Sequence, residues 1–338
     1  MIESKKISTY IVKILNGMAQ GLFASLIIGL IIKQFGIWVS SSLIMQLGQV
    51  AMNMMGPSIG VGVALSVGAP PLAIFASAVT GAIGAGTFVF ESSIITQVIV
   101  GEPVGALLAS LVGAECGKWM RGKTKVDIIL IPLFVIGFGS ITGLFLSPIV
   151  ATFMNLIGLL VNQLTMLYPI PMGITIAVTV GMLLTLPISS AAICISLGIS
   201  GLAAGAATVG CASQMVGFAI SGYRENKVGG LVSQGLGTSM ISMPNIVKNW
   251  RIWIPPTLTA GILGPFATTL FKMENNASGA GMGTSGLVGQ INTIAVMGAS
   301  AWWKILLLHF LIPALLSFLI SNFMRKKGWI KDGDYLIT

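Results

Sequence analysis

Residues 126 to 146 read VDIILIPLFVIGFGSITGLFL, with one carboxylate at the edge and nothing ionisable after it. A helix needs about 20 such residues to cross the hydrocarbon layer of a bilayer, and a run this long has no comparable use in a small soluble core. Two further runs of similar character, residues 14 to 32 (ILNGMAQGLFASLIIGLII) and 302 to 320 (WWKILLLHFLIPALLSFLI), place the chain among integral membrane proteins. Composition agrees: 8% of residues are charged, against roughly a quarter in soluble domains, and the mean hydropathy is +0.95.

Lys and Arg outnumber Asp and Glu by 18 to 9. In a soluble protein that excess suggests nucleic acid; here its placement points elsewhere. Lys5, Lys6 and Lys13 precede the first apolar run, Lys118, Arg121, Lys123 and Lys125 share one short loop, Arg224 and Lys227 mark another, and Arg325, Lys326, Lys327 and Lys331 close the chain. Basic residues at the ends of spans mark the cytoplasmic side, so both termini are expected inside, the number of crossings is even, and no nucleic-acid partner is expected. Cys116, Cys194 and Cys211 form no paired spacing, which gives no disulfide framework and no zinc site. The first apolar run is long enough to span and reads as retained rather than as a cleaved leader.

Apolar stretches fall near residues 14–35, 38–67, 69–90, 93–117, 126–146, 149–167, 172–190 and 191–220, the last expected to break at GLAAGAATVG (201–210). GPSIGVG (56–62), APP (69–71) and LPISS (186–190) read as further helix breaks. Residues 229–250 read as interfacial, and 254–271 and 302–323 as apolar elements on either side of a Gly-rich run. The expected fold is an all-α membrane protein of about ten transmembrane helices with re-entrant hairpins, in one domain over residues 1–338 with no soluble module. The pairs GPSIG, GEPVG, GAECG and GLAAG carry small residues four apart, a spacing that lets helices approach closely. Trp302, Trp303 and Trp329 sit at span ends, where aromatic side chains meet the headgroups.

The Gly-rich run KMENNASGAGMGTSGLVGQ (272–290) opposes a regular helix, since each Gly costs about 1 kcal/mol relative to Ala in a helix interior. It contains a literal G-x-G-x-x-G at Gly281 to Gly286, but the strand, helix and distant acid of a dinucleotide site are missing around it. No nucleotide, metal or other cofactor is expected. Irregular backbone at membrane depth is tolerated where it is buried in protein or lines a wet cavity, and there its polar groups become ligands. Glu274, Asn275 and Asn276 then stand at the mouth of a re-entrant element, with Thr284 and Ser285 along it, groups suited to a polyhydroxylated solute. The alternative is a lid loop outside the bilayer.

Among the acids of the first half, Glu91 lies between two apolar stretches with hydroxyls beside it, which makes it the strongest candidate for a substrate role. Glu102, before Pro103, reads as a helix start, and Glu115, three residues before Lys118, as half of a helical ion pair. Gln214 and Asn245 are candidates for further polar contacts. His309 is the single histidine and reads as a residue satisfied by a neighbouring helix or by carbonyls freed near Pro313, with no phosphocarrier evident on the chain.

Three stretches, 100–132, 208–249 and 254–290, resemble the membrane-spanning IIC subunits of the bacterial phosphoenolpyruvate-dependent sugar phosphotransferase system, in particular a branch that includes proteins described as toxin regulators. The resemblance covers nearly the whole chain. It implies a homodimer in the bacterial inner membrane, with re-entrant hairpins around a sugar site, an elevator-like shift of the transport domain, and phosphorylation of the sugar from a separate IIB subunit. It also implies that Glu274, in the matching Gly-rich stretch, contacts the sugar. Two other readings stay open: a non-phosphorylating secondary transporter driven by an ion through Glu91 or His309, and a membrane sensor regulating gene expression through a cytoplasmic partner.

Overall fold

A computed structural model describes residues 2–91 and 94–337; the side chains of residues 2–8, 38, 90, 91 and a few in 147–158 and 192–196 lie outside that description. The chain forms two compact units, Met1–Phe153 and Met154–Thr338. Among the described residues four helices are long and apolar enough to cross a membrane: Thr9–Ile37, Asp127–Leu146, Gly201–Ser221 and Ala299–Lys326.

In the first unit, α1 (Ile2–Leu22) continues through a π turn at Phe23–Ile27 into α2 (Ile28–Trp38), followed by α3 (Ser42–Asn53), α4 (Met55–Ser66) and α5 (Pro71–Ala85). A short antiparallel hairpin, β1 (Phe88–Glu91) and β2 (Ile94–Val98), leads to α6 (Pro103–Met120) and then α7 (Asp127–Thr165), which runs past the end of this unit. Pro71 and Pro103 each sit in the first turn of their helix, where a missing N–H is harmless. The core joins Ala64, Ala73, Ala76 and Ala114 to Ile131 and Val135, so small side chains let α4, α5 and α6 lie close. At the α5–α6 crossing a Cβ on Gly105 would fall 2.0 Å from the Gly84 carbonyl oxygen; glycine is a steric requirement there.

The second unit is built around α10 (Gly201–Ser221), which is buried almost throughout. Against it pack α8 (Pro169–Thr185), α13 (Ile254–Thr268) and α17 (Ile312–Lys326). Between these rods lie broken segments: α9 (Ser190–Ser196) with coil on both sides; α11 (Tyr223–Val232), a π turn and a 3₁₀ turn leading to α12 (Met243–Lys248); and α14 (Ala277–Ala280), α15 (Val288–Met297) and α16 (Trp302–Ile305).

Several expected boundaries are corrected. Residues 201–210 do not break: α10 runs through them, because its small residues are enclosed by neighbouring helices and tertiary packing outweighs the weak propensity of Gly. The break comes earlier, before Gly201. GPSIGVG lies inside α4, and the interruption falls at Met54. The stretches 126–146 and 149–167 join in one helix of 39 residues, about 58 Å long and so well beyond the hydrocarbon thickness. The stretches 69–90 and 93–117 end and begin in the β-hairpin instead of abutting as helices, and much of 234–246 is buried instead of lying at an interface. Breaks at APP and LPISS are observed.

The C-terminal residues are clamped into the second unit. Tyr335 is 1% exposed, meets Phe218 edge to face at 6.2 Å, and donates to the Ile252 carbonyl at 3.2 Å. The Asn226 amide donates to the Tyr335 carbonyl at 2.7 Å and its oxygen accepts from the Ile337 amide at 2.9 Å. Arg325 and Glu225 form a buried ion pair at 2.8 Å. Burial pushes the Tyr335 hydroxyl from 10.0 up to about 12, only partly offset by Ser321, Ser221 and Arg325. Because this raises the folded value, the contribution to stability is complete below pH 10 and is lost as pH rises through 12. Tyr335→Ala is expected to cost about 3 kcal/mol or more, and Tyr335→Phe about 1 kcal/mol while flattening that alkaline loss, read by thermal unfolding in detergent across pH.

Candidate functional site

Three irregular segments of the second unit, residues 186–200, 233–242 and 272–290, are bound to one another by side chains that take up main-chain carbonyls. Ser190 Oγ donates to the Gly281 carbonyl at 2.8 Å, Thr284 Oγ1 to that of Gly235, and Ser285 Oγ to that of Gly237 at 2.8 Å. The physical reason is the same in each case. A carbonyl outside a helix and shielded from water costs several kcal/mol if left unpaired, and a hydroxyl on the facing segment removes that cost.

The Gly-rich run enters through Asn275, which is 1% exposed. Its backbone pairs with Gly201 in both directions, at 3.0 and 3.2 Å, which fixes the run to the start of α10. Its side-chain amide donates to Thr208 Oγ1 (2.8 Å), the Gly289 carbonyl (3.0 Å) and Thr293 Oγ1 (3.1 Å), so one carboxamide ties α10 to α15. Asn276 caps α14 by accepting from the Gly279 amide at 3.0 Å, and its own amide donates to Asn292 Oδ1 at 2.9 Å. Gly205 of α10 faces the entry: a Cβ there would fall 1.9 Å from the Met273 carbonyl oxygen. Of the small-residue pairs, GLAAG therefore admits the irregular run against a helix.

The run is also conformationally strained. Lys272, Gly283, Gly286 and Leu287 have φ between 44° and 59°, a region that costs a bulky side chain such as Leu287 about 1 kcal/mol or more. Such strain persists only when surrounding contacts over-determine it, as they do here.

Glu274 differs from its neighbours. It is exposed, its backbone amide approaches the Met297 sulfur at 3.2 Å, and its carboxylate has no partner among the described residues. The remaining candidates of this unit are engaged internally. Gln214 is fully buried, donates to Thr257 Oγ1 at 3.0 Å and accepts from Trp253 Nε1 at 3.1 Å. Asn245 donates to the Leu336 carbonyl at 2.8 Å, holding the C-terminal segment. Thr284 and Ser285 are spent on the carbonyls named above. Glu91 belongs to the first unit, ends β1, and its side chain lies outside the described residues. Glu102 stands before the first turn of α6 without capping it through its side chain, and Glu115 pairs with Lys118 at 2.8 Å.

Two residues that sequence reasoning set aside or passed over come together here. Gln290, at the end of the run, bonds His309 Nδ1 at 2.9 Å. Both are buried, and Gln290 Oε1 and His309 Nε2 have no partner among the described residues. His309 sits in a π turn, Leu306–Leu311. Pro313 supplies the reason: it has no N–H to return to the His309 carbonyl, so the helix widens locally. Whichever way the Gln290 amide is turned, one donor and one acceptor of the pair remain unused. The Pro four residues after His309 was the available signal.

The chain matches the model of one protein family, described as phosphotransferase system, EIIC, over residues 12–337. It belongs to that family. No curated protein and no solved structure matches it. EIIC membership, with the apolar helices, makes the chain an integral membrane transport component of the phosphotransferase system and implies both a substrate and a partner component of the same system. No group of three or more His, Cys, Asp or Glu placed to hold a metal is found among the described residues.

If the run is held by Asn275 and the Gly205 contact, Asn275→Ala is expected to lower stability by roughly 2 kcal/mol through buried groups left unpaired, and Gly205→Val by at least as much through the backbone shift it forces. Thermal unfolding and protease cleavage within 272–290 measure both; unchanged cleavage in both variants would contradict the clamp.

Proposed function

We propose that this EIIC protein is the permease subunit that carries a sugar or sugar-like solute across the bacterial inner membrane, with the solute phosphorylated by a separate cytoplasmic IIB subunit. The observation that carries the reading is a division of labour within residues 272–290. Asn275, Asn276, Thr284 and Ser285 hold irregular backbone in place, and the exposed carboxylate of Glu274 beside them has no partner among the described residues. A carboxylate accepts from two hydroxyls at once, a geometry that vicinal sugar hydroxyls match. Asn275 and its neighbours are the frame, Glu274 the ligand. The unused polar atoms of Gln290 and His309 are a donor and an acceptor for the same kind of solute. Gln214 and Asn245 support the surrounding helices, and Glu91 is a second candidate ligand from the first unit.

The wider reading is a single IIC-like transmembrane domain of about ten spanning helices, with residues 186–200 and 272–290 as re-entrant elements. Both termini are cytoplasmic and the working form is a homodimer. Family membership supports this reading, and the four long apolar helices among the described residues support its membrane-spanning character.

Glu274→Gln tests the ligand assignment. Loss of a charge-assisted hydrogen bond of about 1.5–3 kcal/mol predicts a ten- to hundredfold fall in uptake and in sugar-dependent thermal stabilisation, with no change in the unfolding midpoint of the free protein. Unchanged uptake and binding for every sugar tested would remove Glu274 from the site. Uptake into vesicles lacking every phosphotransferase component would overturn the coupling to phosphorylation.

A further inference from the structure

The first unit carries a cavity of about 420 Å³, unrelated to the Gly-rich run, lined by Tyr10, Leu111, Val112, Glu115, Cys116 and Trp119. It lies between α1 and α6 and is open along one side, with walls that are almost wholly apolar. A hydrophilic solute needs several convergent polar groups, and this groove offers one carboxylate that is already neutralised. Tyr10 Oη donates to Glu115 Oε1 at 2.6 Å and Lys118 Nζ donates to the same atom at 2.8 Å.

What distinguishes the groove is the turn at its end. Asp127 accepts from the Gly122 amide at 2.6 Å, the Thr124 amide at 3.2 Å and the Thr124 hydroxyl at 2.8 Å, closing the loop after α6 into a compact turn. That turn gathers Arg121, Lys123 and Lys125, all exposed and none with a carboxylate partner among the described residues. Lys123 Nζ lies 3.2 Å from the centre of the Trp119 ring, and Trp119 is 61% exposed. An exposed tryptophan with a cation on its face, where an apolar helix passes into a basic turn, is the arrangement found at the headgroup level of a bilayer. An apolar trough below it and a mouth with an excess of basic charge above it match the two ends of one molecule.

We propose that this groove binds an anionic phospholipid, with an acyl chain along Leu111 and Val112 and the phosphate held by Arg121 and Lys123. Charge complementarity selects the anionic headgroup: after Lys118 and Glu115 cancel, Arg121, Lys123 and Lys125 outweigh the one carboxylate of the turn, Asp127, whose oxygens are turned onto the Gly122 and Thr124 amides. Basic residues near a membrane surface favour an anionic lipid over a zwitterionic one. Bridging α1 and α6, such a lipid adds contacts that only the folded unit offers, and it therefore stabilises the fold with its concentration.

The test uses the full-length protein in neutral detergent, titrated in turn with phosphatidylglycerol, phosphatidylcholine and glycerol 1-phosphate. Bound lipid is counted by native mass spectrometry and the unfolding midpoint is followed in parallel. Phosphatidylglycerol is expected to be retained and to raise the midpoint at concentrations where the other two do neither. Val112→Trp, which fills the trough at a half-exposed position, and the double variant R121Q/K123Q, which leaves the trough intact, are each expected to weaken retention at least tenfold. K326Q/K327Q, with the same change in charge elsewhere on the chain, is expected to leave it unaltered. Equal stabilisation by phosphatidylcholine would overturn the anionic assignment. A response to glycerol 1-phosphate alone would reduce the site to a phosphate site. Undiminished retention in Val112→Trp, or equal loss in K326Q/K327Q, would show that overall charge and not the groove is recognised.

Discussion

The need to pair every main-chain N–H and C=O away from water governs the second unit of this protein. Helices meet it internally; residues 186–200, 233–242 and 272–290 do not, and they meet it through one another. The hydroxyls of Ser190, Thr284 and Ser285 are each spent on a carbonyl of a facing segment, and the carboxamide of Asn275 bonds the Gly289 carbonyl and two hydroxyls. The Gly-rich run can thus be irregular and strained without being loose. The same economy of partners leaves Glu274 free, and that contrast separates a structural polar residue from a candidate ligand more sharply than residue type does.

Small residues serve the same end by a different route. On α10 they allow enclosure on nearly every side, so a helix of poor intrinsic propensity is held by its neighbours. At Gly205 the missing side chain lets a carbonyl of an irregular segment approach a helix backbone. In the first unit the same chemistry brings α5 against α6 and serves packing alone. A four-residue spacing of small residues therefore signals close approach and leaves open what approaches.

The two ends of the chain's polar inventory behave differently. The C-terminal clamp at Tyr335, Asn226 and Asn245 and the Arg325–Glu225 pair are largely shielded from water and bonded to one another, with Glu225 Oε2 alone left over among these groups, so they act on stability. The basic turn after α6 is exposed, and its Arg121, Lys123 and Lys125 form no ion pair among the described residues. Its charge is available to a partner, and its position above an apolar trough limits what that partner can be.

The sequence by itself determined the solvent: runs of 20 apolar residues with charges confined to their ends leave a bilayer as the only environment in which the backbone and side chains are both satisfied. It also located the Gly-rich run and the breaks at APP and LPISS, because Gly and Pro act on the local backbone. Tertiary structure alone decided where helices with many small residues continue, since the continuity of α10 depends on enclosure by α8, α13 and α17. It decided that 127–165 is one helix and that a hairpin separates α5 from α6, outcomes that local apolarity does not distinguish. It decided as well which polar residues are spent: Asn275 and Glu274 are one position apart, and only the partners folded around them make one a brace and leave the carboxylate of the other without a partner among the described residues.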